Sequence, residues 1–208
     1  MKVSERQLER FPIYLKYLLS MRDSGLLTIS SPMIANALSF SEEQVRKDLQ
    51  VVSMNNGKPK TGRDINEVIH DIQCFLGYDK YTNACIVGVG HLGSALINYQ
   101  GFRDFGLNIV CGFDSSNKVV GSKINDVEVF SIYQLANKIE ELHIEVAILV
   151  TPSNVAQDVT NKLVNAGIKG IWNFVPIHLN VNNDVVVENI NMASSFAVLQ
   201  HKLKTKGE

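Results

Sequence analysis

The sequence predicts two consecutive units of different class, a small helical module and then an α/β module built on a parallel sheet. Two observations carry this. From Ala84 onward, short apolar runs alternate with segments of helical period, the pattern of strands joined by crossover helices. Before residue 77 the apolar residues recur at three- and four-residue spacing, broken by Gly, Ser and Pro. The junction falls in the polar stretch of residues 77–83. The composition is that of a globular protein: 208 residues, 45% apolar, 20% charged, net charge −1.

Residues 6–22 predict the first helix, with Leu8, Phe11, Tyr14, Leu15, Leu18 and Leu19 on its apolar face. Pro12 is tolerated in its first turns, and Gly25 stops it. Ile29-Ser-Ser-Pro32 marks a second start, a serine cap with proline in the first turn, leading to Ile34, Ala35 and Leu38. Ser41-Glu-Glu-Gln44 fits the capping-box pattern before a third helix, Gln44–Val52. A polar, turn-rich loop follows over 55–63, and Asp64 caps a further helix reaching Leu76. Three short helices and then a basic hairpin-like loop is the order of a winged helix-turn-helix. Charge agrees with it. Residues 44–63 hold Arg46, Lys47, Lys58, Lys60 and Arg63 against Asp48, a net of +4 in a chain whose total is −1. Concentrated cations on one helix and its following loop suit contact with nucleic-acid phosphates. With Gln50 on the same helix, they are the candidate DNA-binding residues. The competing reading is a helical cap with a solvated basic loop.

The α/β module opens on Ala84-Cys-Ile-Val-Gly-Val-Gly-His-Leu-Gly93, a buried strand running into a glycine turn and a helix over roughly 91–100. Gly88, Gly90 and Gly93 have G-x-G-x-x-G spacing. The first permits a tight turn, the second lets backbone approach a pyrophosphate, and the third lets helix pack on strand. The helix N-terminus adds free N–H groups and a positive dipole end. A second apolar run over 107–113 ends in Asp114, about twenty residues past the last glycine, where a ribose-binding carboxylate belongs. The competing reading is a packing turn followed by a strand-end acid. Further strands are expected near Glu128–Phe130, over Ile144–Val150 and over Gly170–Phe174. Helices carrying Leu135, Ile139 and Leu142, and then Val155, Val159, Leu163 and Val164, lie between them. Right-handed crossovers then bring Gly88, Asp114, Thr151 and Asn173 to the carboxyl ends of the strands, where ligands bind. Thr151 and Asn173 also read as ordinary strand-end caps. After a short strand at Val185–Val187, residues 189–204 form a last helix. Ile190, Met192, Phe196, Val198, Leu199 and Leu203 make much of its surface apolar, so it is expected to dock on a second subunit.

Cys74, Cys85 and Cys111 lack metal-ligand spacing, and an odd count without a framework argues for a reducing compartment. No apolar run approaches membrane-spanning length, so a cytoplasmic protein with no membrane contact is expected. A dehydrogenase is disfavoured: about ninety residues follow Val120, the sheet consumes most of them, and His143, His178 and His201 are scattered. The chain is not expected to be an enzyme, and no metal or catalytic residues are assigned. A nucleotide-binding module of NAD or CoA type without DNA binding stays open.

The stretches Pro12–Tyr17, Ile29–Ser31, Val45-Arg-Lys-Asp-Leu49, Ile86–Gly93, Asn98–Phe102, Gly167–Pro176 and Val187–Asn189 together resemble the Rex family of redox-sensing transcriptional repressors, over essentially the whole chain. The resemblance implies a homodimer in which each subunit joins a winged-helix DNA-binding domain (1–79) to a Rossmann NAD(H)-binding domain (80–187). It also implies a C-terminal dimerisation helix (188–208) exchanged between subunits. It implies a sensor of the NADH/NAD⁺ ratio, released from a palindromic operator by NADH. By the same resemblance, Gly88, Val89, Gly90, His91, Leu92 and Gly93 form the phosphate turn, and Asp114 binds the adenosine ribose and rejects NADP(H). Thr151, Pro152 and Asn173 belong to the cofactor loops. Arg46 and Lys47 belong to the recognition helix.

Departures accompany the match. Gln50-Val-Val-Ser53 and the loop Lys58-Pro-Lys-Thr-Gly-Arg63 differ from the family's stretches, and the family's wing tyrosine is lost. The family's relay of arginine, tyrosine and aspartate falls on Lys16, Tyr99 and Asn191, with Tyr99 also near the cofactor, and a family aromatic near nicotinamide becomes Met192. A Lys–Asn pair loses the bidentate ionic geometry of Arg–Asp. These changes imply a divergent member with an altered operator, a weakened redox response, or both.

Overall fold

The computed structural model describes residues 3–53 and 62–205. It divides into two compact units, Met1–Lys80 and Tyr81–Glu208.

The first unit is helical. α1 (Glu5–Leu8) and α2 (Arg10–Asp23) replace the single expected helix. The break at Glu9 follows from Pro12, which has no N–H for the Leu8 carbonyl and whose ring crowds it. α3 (Ser31–Leu38) carries Pro32 in its first turn, although the Ser30 hydroxyl makes no cap bond. α4 (Glu42–Val52) starts where Ser41 Oγ accepts the Gln44 N–H at 3.2 Å. α5 (Ile65–Leu76) is capped by Asp64, whose Oδ1 accepts from Asn66 N at 2.8 Å and Glu67 N at 3.2 Å, and it ends at left-handed Gly77. A two-residue antiparallel pair, β1 (Thr28–Ile29) with β2 (Arg63–Asp64), closes the base of the loop after α4. Phe11, Tyr14, Leu15 and Leu18 of α2 pack with Ile34 of α3, Val45 and Leu49 of α4 and Val68 and Ile72 of α5. Lys58 and Lys60 lie outside the described residues.

The second unit is a seven-stranded sheet in the order β5-β6-β4-β3-β7-β8-β9. Its strands are β3 (Thr82–Val87), β4 (Leu107–Asp114), β5 (Lys123–Ile124), β6 (Val127–Ser131), β7 (Val146–Leu149), β8 (Gly170–Asn173) and β9 (Val186–Asn189). All neighbouring pairs are parallel except β5 with β6. That hairpin was not expected from the sequence. It turns through Asn125 and Asp126, both at positive φ, the conformation of a tight two-residue hairpin. α6 (His91–Asn98) crosses from β3 to β4, α7 (Leu135–Glu141) from β6 to β7, and α8 (Ser153–Asn165) from β7 to β8. The order grows outward from β3 in both directions, so the chain reverses between β3 and β7. At such a reversal the crossovers diverge and leave a crevice at the strands' carboxyl ends. α9 (Met192–Thr205) buries none of its residues, and Met192, Phe196, Val198, Leu199 and Leu203 are each more than half exposed.

Candidate functional site

The glycine turn sits at that reversal, and its three glycines do three different things. Gly88 has φ +96°, and a Cβ there would lie 2.7 Å from the Val150 carbonyl oxygen, so the turn is pressed against the end of β7. A Cβ on Gly93 would lie 2.0 Å from the Gly88 carbonyl oxygen; α6 can approach the turn only without a side chain. Gly90 caps α6, and a Cβ on it would meet nothing within 4 Å. The protein's own packing therefore explains Gly88 and Gly93 but makes no demand at Gly90. The space there, in front of the N-terminus of α6, fits a pyrophosphate.

Asp114 stands beside the turn at the end of β4. Its Oδ2 accepts the Val89 N–H at 2.7 Å and its Oδ1 the Ser116 N–H at 2.8 Å. A carboxylate has about four acceptor positions, so capacity remains for ribose hydroxyls. Across the reversal, Thr151 Oγ1 is buried and has no hydrogen-bond partner among the described residues. Gly88, Asp114, Thr151 and Pro152 line one cleft of about 270 Å³, together with Val155 and Lys162 of α8. His91 and Leu92 are exposed on the first turn of α6.

Two expected cofactor residues do not line this cleft, although Asn173 ends β8 as the register partner of Leu149. Asn173 is fully buried, and its Oδ1 accepts the Val175 N–H at 2.9 Å while its Nδ2 donates to Ile177 O at 3.1 Å and Asn189 Oδ1 at 2.8 Å. It shapes the loop after β8 and the end of β9. Tyr99 follows the far end of α6, about 12 Å along the helix from the glycine turn. It lines a separate cavity of about 540 Å³ with Arg103, Leu107 and Val127. The spacing that makes α6 a crossover helix carries Tyr99 away from the turn within one chain.

In the helical unit, α4 turns Val45, Asp48, Leu49 and Val52 inward and leaves Arg46, Lys47 and Gln50 exposed together. Lys47 Nζ lies 2.7 Å from Glu43, and this contact holds the Glu43 carboxyl below the usual carboxylate range. Asp48, counted in the sequence as an acid among surface cations, is instead 2% exposed. It receives a bidentate Arg10 guanidinium at 2.6 and 2.7 Å and the Tyr14 hydroxyl at 2.8 Å. The missed signal was its place in the apolar stripe, three residues after Val45 and four before Val52. Arg63 departs from its reading as a phosphate contact. Its guanidinium donates to Asp71 at 3.1 Å and to the Ser53 hydroxyl, and its side chain is 18% exposed. It joins the two ends of the basic loop to α5. Of the relay positions, Lys16 is exposed on α2, and Asn191 Oδ1 accepts the Ser194 N–H at 3.0 Å, which caps α9.

Comparison with known proteins agrees with both halves. Residues 2–50 match the family model of a putative DNA-binding protein N-terminus, and residues 79–177 match that of a CoA binding domain. The redox-sensing transcriptional repressor Rex of Treponema denticola is 40% identical over 95% of this chain and 93% of its own length. The Rex of Clostridioides difficile is 37% identical over 97% of this chain and 96% of its own. Among solved structures, RSP in complex with β-NAD⁺ and operator DNA superposes with a TM-score of 0.91 at 33% identity, covering all of this chain and 95% of that one. RSP with β-NADH gives 0.87 at the same identity, over all of this chain and 97% of that one. The chain belongs to the Rex family of redox-sensing transcriptional repressors.

Proposed function

We propose that this chain is an NADH/NAD⁺-responsive DNA-binding repressor, released from a pseudo-palindromic operator by NADH. The observation that carries the reading is the glycine turn, in which Gly90 alone has no packing reason to be glycine and faces open space beside Asp114. The related RSP structures, with β-NAD⁺ and operator DNA and with β-NADH, support both ligands. Gly88, Val89, Gly90, His91, Leu92 and Gly93 hold the pyrophosphate, Asp114 the ribose, and Thr151 and Pro152 line the crevice beyond. Asp114 repels a 2′-phosphate and so favours NAD(H) over NADP(H). When bound, the dinucleotide supplies two redox forms that the protein distinguishes; no bond in it changes here, and the chain is not an enzyme.

Arg46, Lys47 and Gln50 face the major groove, and Lys58 and Lys60 meet phosphates. α9 gives a homodimer by exchange, since its apolar surface is uncovered in the single chain. Tyr99 then acts beside the relay positions Lys16 and Asn191 in the assembled dimer. No helix among the described residues is long and apolar enough to cross a membrane, and a cytoplasmic location suits the role. The test is operator affinity by gel shift with saturating NAD⁺ and then NADH. Tight binding with NAD⁺ and weaker binding with NADH is expected.

A second reading has its own support in the CoA binding domain match over residues 79–177. NAD and CoA share an ADP moiety, so a glycine turn can serve either. Calorimetry with NADH and with CoA separates them, and binding of CoA alone would favour the module without redox sensing.

A further inference from the structure

Tyr133 is 90% exposed, the most exposed of the large apolar side chains in the described residues. Among those residues its ring meets no other ring and its hydroxyl has no partner. Yet its backbone is firmly placed. Ser131 Oγ accepts the Tyr133 N–H at 3.4 Å while the Ser131 N–H donates to Gln134 Oε1 at 3.3 Å, a reciprocal cap on the short 3₁₀ turn of Ile132–Gln134. A fixed turn that presents an unused aromatic ring to solvent has no evident packing purpose.

The position of that ring is informative. Asp114 and Ser131 are register partners at the ends of the neighbouring parallel strands β4 and β6. Tyr133, two residues on, therefore stands beside the carboxylate assigned to the ribose. It lines the same cleft as Asp114, with Ser115, Pro152, Val155 and Lys162 on the other walls. A base attached to a ribose at Asp114 enters this cleft with one face toward the apolar wall of Pro152 and Val155. Its other face needs a cover; of the two aromatic side chains that line this cleft among the described residues, Phe113 is fully buried and Tyr133 stands open to solvent.

We propose that Tyr133 is a cofactor-binding residue that stacks on the adenine of the dinucleotide and closes the open side of its cleft. The proposal rests on the reading of this cleft as a dinucleotide site. Stacking recognises a flat heteroaromatic face and not a hydrogen-bonding edge, so the ring matters and the hydroxyl does not.

The experiment is calorimetry of native, Tyr133→Ala and Tyr133→Phe chains with NADH and with ADP-ribose, which keeps the adenosine half and lacks nicotinamide. Tyr133→Ala is expected to weaken both ligands by about tenfold, and Tyr133→Phe to bind both as the native chain does. A side chain this exposed can be removed without unfolding the protein, and thermal melting checks it. As a second measurement, a Tyr133→Trp chain should show fluorescence quenching on ADP-ribose addition well beyond that of native Trp172. Equal binding by native and alanine chains, or equal losses in the alanine and phenylalanine chains, overturns the stacking role and leaves the dinucleotide reading intact. A native chain that binds neither ligand overturns the dinucleotide reading itself, and this proposal with it.

Discussion

In the helical unit, two acids, Asp48 and Asp71, are buried, each gripped by an arginine from another element: Arg10 of α2 holds Asp48 of α4, and Arg63 of β2 holds Asp71 of α5. In the sheet unit the described core contains no buried acid, and Asp114 stands instead at a strand end, half-buried, at the crevice. In the helical unit, ion pairs between elements add to apolar packing in fixing where one helix lies against the next. The sheet needs no such device, because strand pairing and crossovers already set its geometry. Charged residues therefore mean different things in the two units. At the end of β4, Asp114 keeps acceptor capacity at the crevice; among the helices the same residue types divide between scaffold and surface.

The largest expected effect breaks the scaffold. Asp48→Ala leaves Arg10 without its partner in a site only 16% exposed on the arginine side. Removing one member of a largely buried pair costs about 3–5 kcal/mol, although the intact pair exceeds an apolar one by little. Arg46→Ala, one turn face away on α4, should change stability by less than about 0.5 kcal/mol while weakening operator binding. Denaturant midpoints and operator affinities of the two variants check this. Equal destabilisation by both would erase the distinction between inner and outer charges.

The glycine turn allows the same separation in the sheet unit. Gly93→Ala sets a methyl 2.0 Å from the Gly88 carbonyl oxygen, and overpacking of this kind costs about 1–3 kcal/mol or more. Gly90→Ala adds a methyl to open space and should cost less than about 1 kcal/mol, the difference between the two residues as helix caps. Its effect should appear as lost NADH affinity in calorimetry. A Gly90→Ala chain that melts normally and binds NADH as tightly as the native chain would remove the central support for the cofactor reading.

These contrasts also explain what could be read before the structure. Strand and helix periodicity located β3, β4, α5 and α8 to within a residue or two, and parallel topology alone brought Gly88, Asp114 and Thr151 to one crevice. What failed was the partner of each polar side chain. Asp48, Arg63 and Asn173 have sequence surroundings that suit surface or ligand contact, and only tertiary packing shows that each is already engaged. Within one chain, eight helical residues separate Tyr99 from the glycine turn, a distance that the sequence resemblance does not reveal. The hairpin β5–β6 was hidden because Asn125-Asp126 lacks the glycine that usually announces such a turn.

Alkaline pH should weaken both units, through different groups. Burial, and then the hydrogen bond to Asp48, raise Tyr14 far above the ordinary phenol range. Burial also pushes the Cys111 thiol up to about 12, and lifts the Cys85 thiol well above its usual value. In each case the folded state holds its proton more tightly than the unfolded chain. The associated stability is therefore complete below the unfolded value, near 9 for the thiols and 10 for the phenol, and declines as pH rises toward the folded value. Each such group contributes a fall of at most about 1.4 kcal/mol per pH unit in that window. Denaturant titrations between pH 8 and pH 11 check the sign, and Cys111→Ala should flatten the decline. The same protonation and burial keep the Cys85 and Cys111 thiols unreactive.

The smallest expected effect concerns the proposed relay positions. On the proposed reading, NADH releases DNA only if it binds one arrangement of the proposed dimer better than another. On the same reading, the family's ionic pair falls on Lys16, exposed on α2, and Asn191, whose oxygen already caps α9. One charge-assisted hydrogen bond between them would contribute about 1.5–3 kcal/mol at best, and an exposed pair only about 0–1. NADH should therefore shift operator affinity modestly, less than an Arg–Asp pair would allow. In Lys16→Arg with Asn191→Asp, the aspartate still caps α9, since Asp and Asn are comparable caps, so the helix itself is not weakened. What changes is a second carboxylate oxygen and a forked guanidinium to meet it. The ratio of operator affinities in NAD⁺ and NADH should then rise by about fivefold, the equivalent of roughly 1 kcal/mol. Neither single variant should reach that value, because each leaves one half of the pair unmatched. A native chain with a large NADH effect that the double change leaves unaltered would mean that the signal passes through other residues, with Tyr99 the first to replace.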